Sequence, residues 1–374
     1  MVGSLSVLCG QMLVVGLEGL ELRKGEERVL AAGERGGIVL FRRNIASGAS
    51  GLAPFAGMRA VAELLAAVTR AAGAHAASAP PLVAVDQEGG RVMRLGPPAM
   101  QLPAMRKLGE LDDEDLVRRV AAAQARELAA LGFTMSFAPV ADIHTREDNP
   151  IIGDRAFATT PAGVARFAGA FAEGLARGGV LSCAKHFPGH GDTTVDSHHA
   201  LPRVERPRAE LEQIELASFA ALAKNPNVDA MMTAHVVYPA LDTEQPATLS
   251  HAICTELLRK KLGFAGVLFS DDLEMKALTL PTGEAAVRAV LAGCDVLLVC
   301  SRADLAAQAH EALVREAEQS PTFRARCEEA SARAIAMRRR AAPAPITNEA
   351  DLARVFAASA PVTAELTRRL EAAS

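Results

Sequence analysis

Four of the nine histidines fall within fifteen residues, Lys185-His186-Phe187-Pro188-Gly189-His190-Gly191-Asp192-Thr193-Thr194-Val195-Asp196-Ser197-His198-His199. Packing gives a surface loop no reason to collect imidazoles and carboxylates, so the density marks a site. Two chemistries suit it. In the first, His186, His190, Asp192, Asp196 and His198 are all competent metal ligands. Against that, the His-x3-His spacing belongs on a helix, and Pro188-Gly189 break one here. The second is proton transfer. In Asp196-Ser197-His198 a carboxylate can bond one ring nitrogen and leave the other to carry a proton, the arrangement of a general acid/base. His190 and His199 are expected to make loop and rim hydrogen bonds.

A second acidic stretch, Val267-Leu268-Phe269-Ser270-Asp271-Asp272-Leu273, ends an apolar run in paired carboxylates. By continuity with the strand, Asp271 is the one aimed at chemistry and Asp272 the structural one. A carboxylate nucleophile with a separate proton donor is the apparatus of a retaining glycosidase. Val85-Asp86-Gln87-Glu88-Gly89-Gly90-Arg91-Val92-Met93-Arg94 forms a polar loop. In it Asp86 can hold hydroxyls and Arg94 a polar or anionic group, with Glu88 and Arg91 paired as loop structure. Arg155, in a turn-rich loop, can fork onto a ligand, although Asp154-Arg155 also suits a structural pair.

These residues need a scaffold. Eight short apolar runs recur: Met12–Gly16, Gly37–Phe41, Leu82–Val85, Phe133–Ala138, Val180–Lys185, Ala230–Ala234, Gly266–Phe269 and Val296–Val299. Between them lie segments of helical period, such as Val164, Phe167, Phe171 and Leu175 before Gly178-Gly179. Asp112-Asp113-Glu114 suit a helix start, and Thr248-Leu249-Ser250 supply caps before a helix at 251–261. Strand and helix alternating eight times predict an α/β fold, a (β/α)8 TIM-type barrel, with a doubly wound sheet as the alternative. Ionisable residues follow six of the runs, at the ends where barrel sites are built. The expected organisation is a catalytic barrel over 1–340 and a hinge with a helical C-terminal extension over 341–374. The Ala/Gly/Ser/Pro-rich stretches 45–58 and 71–80 predict long loops, and Arg338-Arg339-Arg340 a solvated helix end.

A chain of 374 residues, half of them apolar, can bury a large core, while a net charge of −4 gives no reason to expect nucleic acid or an anionic membrane as partner. The six cysteines lack CxxC spacing and are expected as reduced core thiols. Residues 4–17 are apolar but no Lys or Arg precedes them, and no run reaches the roughly 20 apolar residues of a membrane span. The expected location is the cytoplasm.

Taken together, Lys185-His186-Phe187-Pro188-Gly189-His190-Gly191 and Asp196-Ser197-His198 resemble the signature of glycoside hydrolase family 3, in its β-N-acetylglucosaminidase branch. Val85-Asp86-Gln87-Glu88-Gly89-Gly90-Arg91-Val92, Phe137-Ala138-Pro139-Val140, Ile152-Gly153-Asp154-Arg155-Ala156-Phe157, Pro246-Ala247-Thr248-Leu249-Ser250 and Phe269-Ser270-Asp271-Asp272-Leu273 match in the same order. The resemblance spans about residues 12–340. It implies a cytoplasmic enzyme of peptidoglycan recycling that removes non-reducing terminal GlcNAc from GlcNAc-1,6-anhydro-MurNAc, with or without peptide. It also implies Asp271 as nucleophile, His198 as acid/base paired with Asp196, and Asp86, Arg94, Arg155, Lys185 and His186 around the sugar. No metal or cofactor is implied, and the only expected partner of a monomeric chain is its glycan or muropeptide substrate. A neutral imidazole base does not repel anionic acceptors, so a β-N-acetylglucosaminide phosphorylase is the nearest alternative. An inactive sugar-binding sensor of the same fold is the other.

Overall fold

The computed structural model describes residues 4–45, 55–74, 79–193 and 201–373. Its strands are β1 (Leu13–Gly16), β2 (Gly37–Leu40), β3 (Leu82–Val85), β4 (Gln87–Gly89), β5 (Val92–Met93), β6 (Met135–Ser136), β7 (Leu181–Phe187), β8 (Ala230–Thr233), β9 (Val267–Asp272) and β10 (Val296–Val299). Eight of them close a parallel barrel in the order β1-β10-β9-β8-β7-β6-β3-β2, while β4 and β5 form an antiparallel hairpin beyond β3. The eight apolar runs are thus the eight barrel strands, and the doubly wound alternative falls. Their unbroken apolar character follows from burial on both faces. Alternate residues, such as Leu82 and Ala84, Leu181 and Cys183, Val267 and Phe269, fill the barrel interior. Their neighbours, such as Val83, Val85 and Leu268, pack outward against the helices.

The helices obey the signals in the sequence with one difference. Val164, Phe167, Phe171 and Leu175 are the buried face of Pro161–Arg177, which is capped by Thr160 and closed at Gly178. The Asp113 side chain accepts from Leu116 N to open Glu114–Leu131. The segment Ala252–Lys261 is wound as a π-helix. Periodicity could not reveal this, because Ile253, Cys254, Leu257 and Leu258 are adjacent pairs that share a face in either winding.

The bottom of the barrel is fastened by the helix Pro321–Arg338. Ala334 and Met337 plug the interior. Arg326 and Arg333 both reach Asp295, which also pairs with Arg259. Arg338 donates to Gln11 Oε1 at 2.6 Å and to the Gly36 carbonyl, and Arg340 pairs with Asp229 at 2.6 Å. The expected solvated helix end holds for Arg339 and Arg340, which are exposed, and is corrected at Arg338, which is 3% exposed. Its long stem covers apolar surface and its fork satisfies carbonyl groups at the starts of two strands.

Beyond it, Ile346 N donates to Ala130 O at 2.8 Å. The helices Glu349–Ala357 and Ala360–Ala373 lie on Glu114–Leu131. Arg119 forks onto Glu365 at 2.6 and 2.8 Å, and Phe356 meets Phe55 edge-on. All six cysteines are buried free thiols. Among the described residues no helix is long and apolar enough to cross a membrane.

Candidate active site

The same alternation that fills the barrel decides which polar residues reach its mouth. Counting on from Leu82 and Ala84 brings Asp86 to the inside, from Leu181 and Cys183 it brings Lys185, and from Val267 and Phe269 it brings Asp271. Two register breaks add their neighbours. Lys185 is paired with Met232 but Phe187 with Thr233, so His186 also turns to the cavity. Its peptide with Lys185 is cis. Phe269 is paired with Val296 but Asp272 with Leu298, so Asp272 joins Asp271. Bulges at a barrel rim re-aim side chains in this way. The result is a cavity of about 210 Å³ at the C-terminal end of the strands, floored by Val39, Phe137, Met232 and Leu298. Asp86, Glu88, Arg94, Arg155, Lys185, His186, His190, Asp271 and Asp272 wall it. Asp271 and the five residues expected around a sugar thus share one cavity. Asp196, His198 and His199 lie outside the described residues, as does 46–54 of the 45–58 stretch.

One wall is a charge cluster. Lys185 Nζ lies 2.8 Å from Asp86 and 2.6 Å from Glu88. Arg94 pairs with Asp86 at 3.0 Å, and Arg155 forks onto Glu88 at 2.9 and 2.8 Å. Burial pushes both carboxyls up, but Lys185 and Arg94 around Asp86, and Arg155 and Lys185 around Glu88, outweigh it and hold both below the usual carboxylate range. Burial pushes Lys185 down, and Asp86 and Glu88 more than reverse it. The cluster is ionised throughout and presents fixed donors and acceptors to the cavity. Arg94 Nε is buried with no protein partner among the described residues.

The expected loop pairings are exchanged. Glu88 bonds Arg155 and Lys185, not Arg91; Arg91 lies 3.7 Å from Asp154 and donates to Pro150 O. The turn at Gly89 and Gly90, with φ of +150° and +55°, puts Glu88 under the mouth and Arg91 outside. Glu88 is therefore a wall residue that sequence reasoning set aside, although its parity with Leu82, Ala84 and Asp86 pointed inward.

Asp142, 0% exposed, is the other omission. It follows β6 and accepts from His186 Nδ1 at 2.7 Å, His186 N at 3.1 Å and His190 N at 2.7 Å. Asn149 holds the carbonyls of the same stretch, donating to His190 O, Gly191 O and Thr193 O. At Gly191 a Cβ would lie 1.7 Å from Ile143 O, so only glycine allows this approach. His190 Nδ1 bonds Thr193 Oγ1 at 2.7 Å, and burial, then His186, pulls its pKa down to about 4. It is a neutral ring in loop hydrogen bonding, as expected. The metal alternative finds His186 bonded to Asp142, His190 to Thr193 and Asp192 to Arg206. Among the described residues no three His, Cys, Asp or Glu side chains converge as a metal site.

On the opposite wall, Asp271 Oδ1 accepts from Asp272 N at 2.8 Å. Asp272 Oδ1 accepts from Glu274 N at 3.1 Å and Cys300 N at 3.2 Å. Burial, then the charges of Glu274 and Asp271, push Asp272 up to about 7. His235 Nε2 donates to the Asp272 carbonyl at 2.9 Å and its Nδ1 bonds Thr248 Oγ1 at 2.7 Å, fixing the backbone beneath the two acids. Chemically, the cavity sets a carboxylate across from a fixed array of cations and acceptors, over an apolar floor. That suits attack on a neutral, many-hydroxyl ring.

The chain is similar to several known proteins. The family model described as "Glycosyl hydrolase family 3 N terminal domain" matches residues 4–336. A β-hexosaminidase of Chromobacterium violaceum is 40% identical over 299 residues, 78% of each chain. The structure of a glycoside hydrolase family 3 β-N-acetylglucosaminidase from Paenibacillus sp. FPU-7 superposes with a TM-score of 0.85 at 36% identity, covering 95% of this chain and 68% of that one. NagZ from Neisseria gonorrhoeae, in complex with N-trifluoroacetyl-D-glucosamine, does so with a TM-score of 0.71 at 34% identity, covering 86% and 97%.

Proposed function

The chain belongs to glycosyl hydrolase family 3, and we propose that it is a retaining exo-β-N-acetylglucosaminidase that removes terminal GlcNAc from muropeptides. Its activity as a glycoside hydrolase, a β-N-acetylhexosaminidase, rests on 40% identity to a β-hexosaminidase over most of both chains. The observation that carries the mechanism is Asp271: next to last in β9, it lines the cavity together with the Asp86, Glu88, Arg94, Arg155 and Lys185 wall. In the proposed cycle that wall and His186 hold the sugar hydroxyls. The Asp271 carboxylate attacks the anomeric carbon as His198, partnered by Asp196, protonates the departing oxygen. The same imidazole then takes a proton from water, which opens the glycosyl–Asp271 ester with net retention. Peptidoglycan recycling in the cytoplasm, the setting implied by the motif resemblance, is the proposed setting.

The test is release of 4-nitrophenol from its β-GlcNAc and β-glucoside conjugates, beside GlcNAc-1,6-anhydro-MurNAc. Cleavage of the first and third but not the second is expected; failure on the disaccharide removes the muropeptide substrate. His198→Ala should hurt the disaccharide more than the nitrophenyl glycoside, because only the poor leaving group needs protonation. Equal loss on both removes His198 as the acid. GlcNAc-1-phosphate formed in phosphate buffer would replace hydrolysis by phosphorolysis.

A further inference from the structure

Three of the cavity's proposed sugar-binding side chains, Lys185, Arg94 and Arg155, can only donate hydrogen bonds. A sugar hydroxyl donates as well as accepts, so acceptors limit how many hydroxyls the wall can satisfy. Asp86 and Glu88 are acceptors, but Lys185 and Arg94 already take part of the first's capacity and Lys185 and Arg155 part of the second's. His186 is a further cavity group whose role depends on where its proton sits.

The surroundings of His186 decide that position. Asp142 is wholly buried. Burial alone would raise its carboxyl, but His186 and His190 hold it below the usual carboxylate range, so it is ionised and accepts only. Its Oδ2 lies 2.7 Å from His186 Nδ1 and its Oδ1 takes the His190 amide at 2.7 Å. An acceptor-only oxygen at that distance requires the proton on Nδ1. In the neutral ring Nε2 then carries the lone pair. No protein group among the described residues is bonded to Nε2, and the ring lines the cavity.

We propose that Asp142 is a positioning residue that fixes a His186 proton on Nδ1 and so, when the ring is uncharged, makes Nε2 a hydrogen-bond acceptor for one sugar hydroxyl. Asp142 never touches the sugar. It acts through the ring it orients, and through the amides of residues 186 and 190 it holds the bulge that turns the ring inward. The proposal rests on the cavity binding a sugar, but the state of the ring can be tested without turnover.

Two measurements test it. First, ¹⁵N NMR of the imidazole in the wild-type protein, assigned with His186→Gln, should show the neutral ring protonated on Nδ1 with an unprotonated Nε2. A proton on Nε2 overturns the proposal, whatever the enzyme's activity and whether or not Asp142→Asn folds. Second, 3-, 4- and 6-deoxyfluoro analogues of 4-nitrophenyl β-GlcNAc remove one donating hydroxyl each. Against the wild type, one analogue should lose about tenfold in kcat/KM relative to the parent. In Asp142→Asn, whose amide can donate to Nδ1 and move the ring proton to Nε2, that penalty should shrink to about twofold. A merely structural Asp142 would lower kcat/KM for all substrates alike and leave the ratios unchanged, which overturns the proposal. If the wild type turns over none of the glycosides, the glycosidase assignment falls, and the NMR result alone decides the role of Asp142.

Discussion

Arg155 and Glu88, 67 residues apart in the chain, meet fork to fork, Nε to Oε2 at 2.9 Å and Nη2 to Oε1 at 2.8 Å. Glu88 is 1% exposed and also holds Lys185. The pair ties the rim loop carrying Arg155 to the cavity wall. Removing the acid strands the buried Arg155 and leaves Lys185 with Asp86 alone, and leaving a buried charge unpaired costs roughly 3–5 kcal/mol. Glu88→Ala is expected to lower the urea midpoint accordingly at unchanged m-value. Glu88→Gln, which keeps the shape and one acceptor, should fall between. A loss under about 1 kcal/mol for Glu88→Ala would show the wall to be held by other contacts.

Asp271→Asn is nearly isosteric and leaves an amide where the mechanism needs a nucleophile. Turnover of 4-nitrophenyl β-GlcNAc should fall by at least about 10⁴-fold, with the denaturation midpoint within error of wild type. Residual activity above about 1% would move the nucleophile elsewhere.

The pH dependence of stability should carry opposite signatures on either side of pH 4. Asp272 titrates near 7 in the fold against an ordinary value of about 3.9. The folded chain therefore binds more protons than the unfolded one between those values, and Asp272 makes stability fall as pH rises from about 4 to about 7. Asp86 and Glu88 are held low. Their contribution is present above the unfolded carboxylate pKa and is lost as pH falls below it. Urea denaturation at several pH values should show Asp272→Asn gaining on wild type steadily from pH 4 to 7. A constant difference over that range would rule out a raised Asp272.

Arg338→Ala should separate stability from chemistry. It leaves Gln11 Oε1 and the Gly36 carbonyl without a buried donor, and the missing stem leaves a void. Together these should cost about 2–4 kcal/mol. Because these contacts lie at the far end of the barrel from Asp271, kcat and KM below the melting range should stay within about twofold. A tenfold change in kcat would mean that the two ends are coupled.

What could be foreseen divides along physical lines. The strands were legible because a buried parallel strand is a short apolar run, and counting by twos along those runs pointed Asp86, Lys185 and Asp271 inward. The bulges that bring His186 and Asp272 beside them were not, because a register shift belongs to two strands and neither β7 nor β9 encodes it alone. Likewise Glu88 takes a partner 67 residues away and Arg338 one 327 residues away. Local pattern therefore paired Glu88 with Arg91 and left Arg338 to solvent. Asp142 sat in plain view after the fourth run, but its use became evident only with His186 and His190 around it.

The ring of strands also has a consequence for biosynthesis. β1 pairs on one side with β10, Leu13 opposite Leu297, and the arginines that fasten the strand starts come from the still later helix Pro321–Arg338. At translation speeds of about 5–20 residues per second, some 15–60 seconds separate the appearance of β1 from that of its partner. Throughout that interval one edge of Leu13-Val14-Val15 lacks its neighbour. The nascent chain is thus most exposed to mispairing while on the ribosome, and growth temperature and chaperone supply should govern its yield more than the stability of the finished enzyme does.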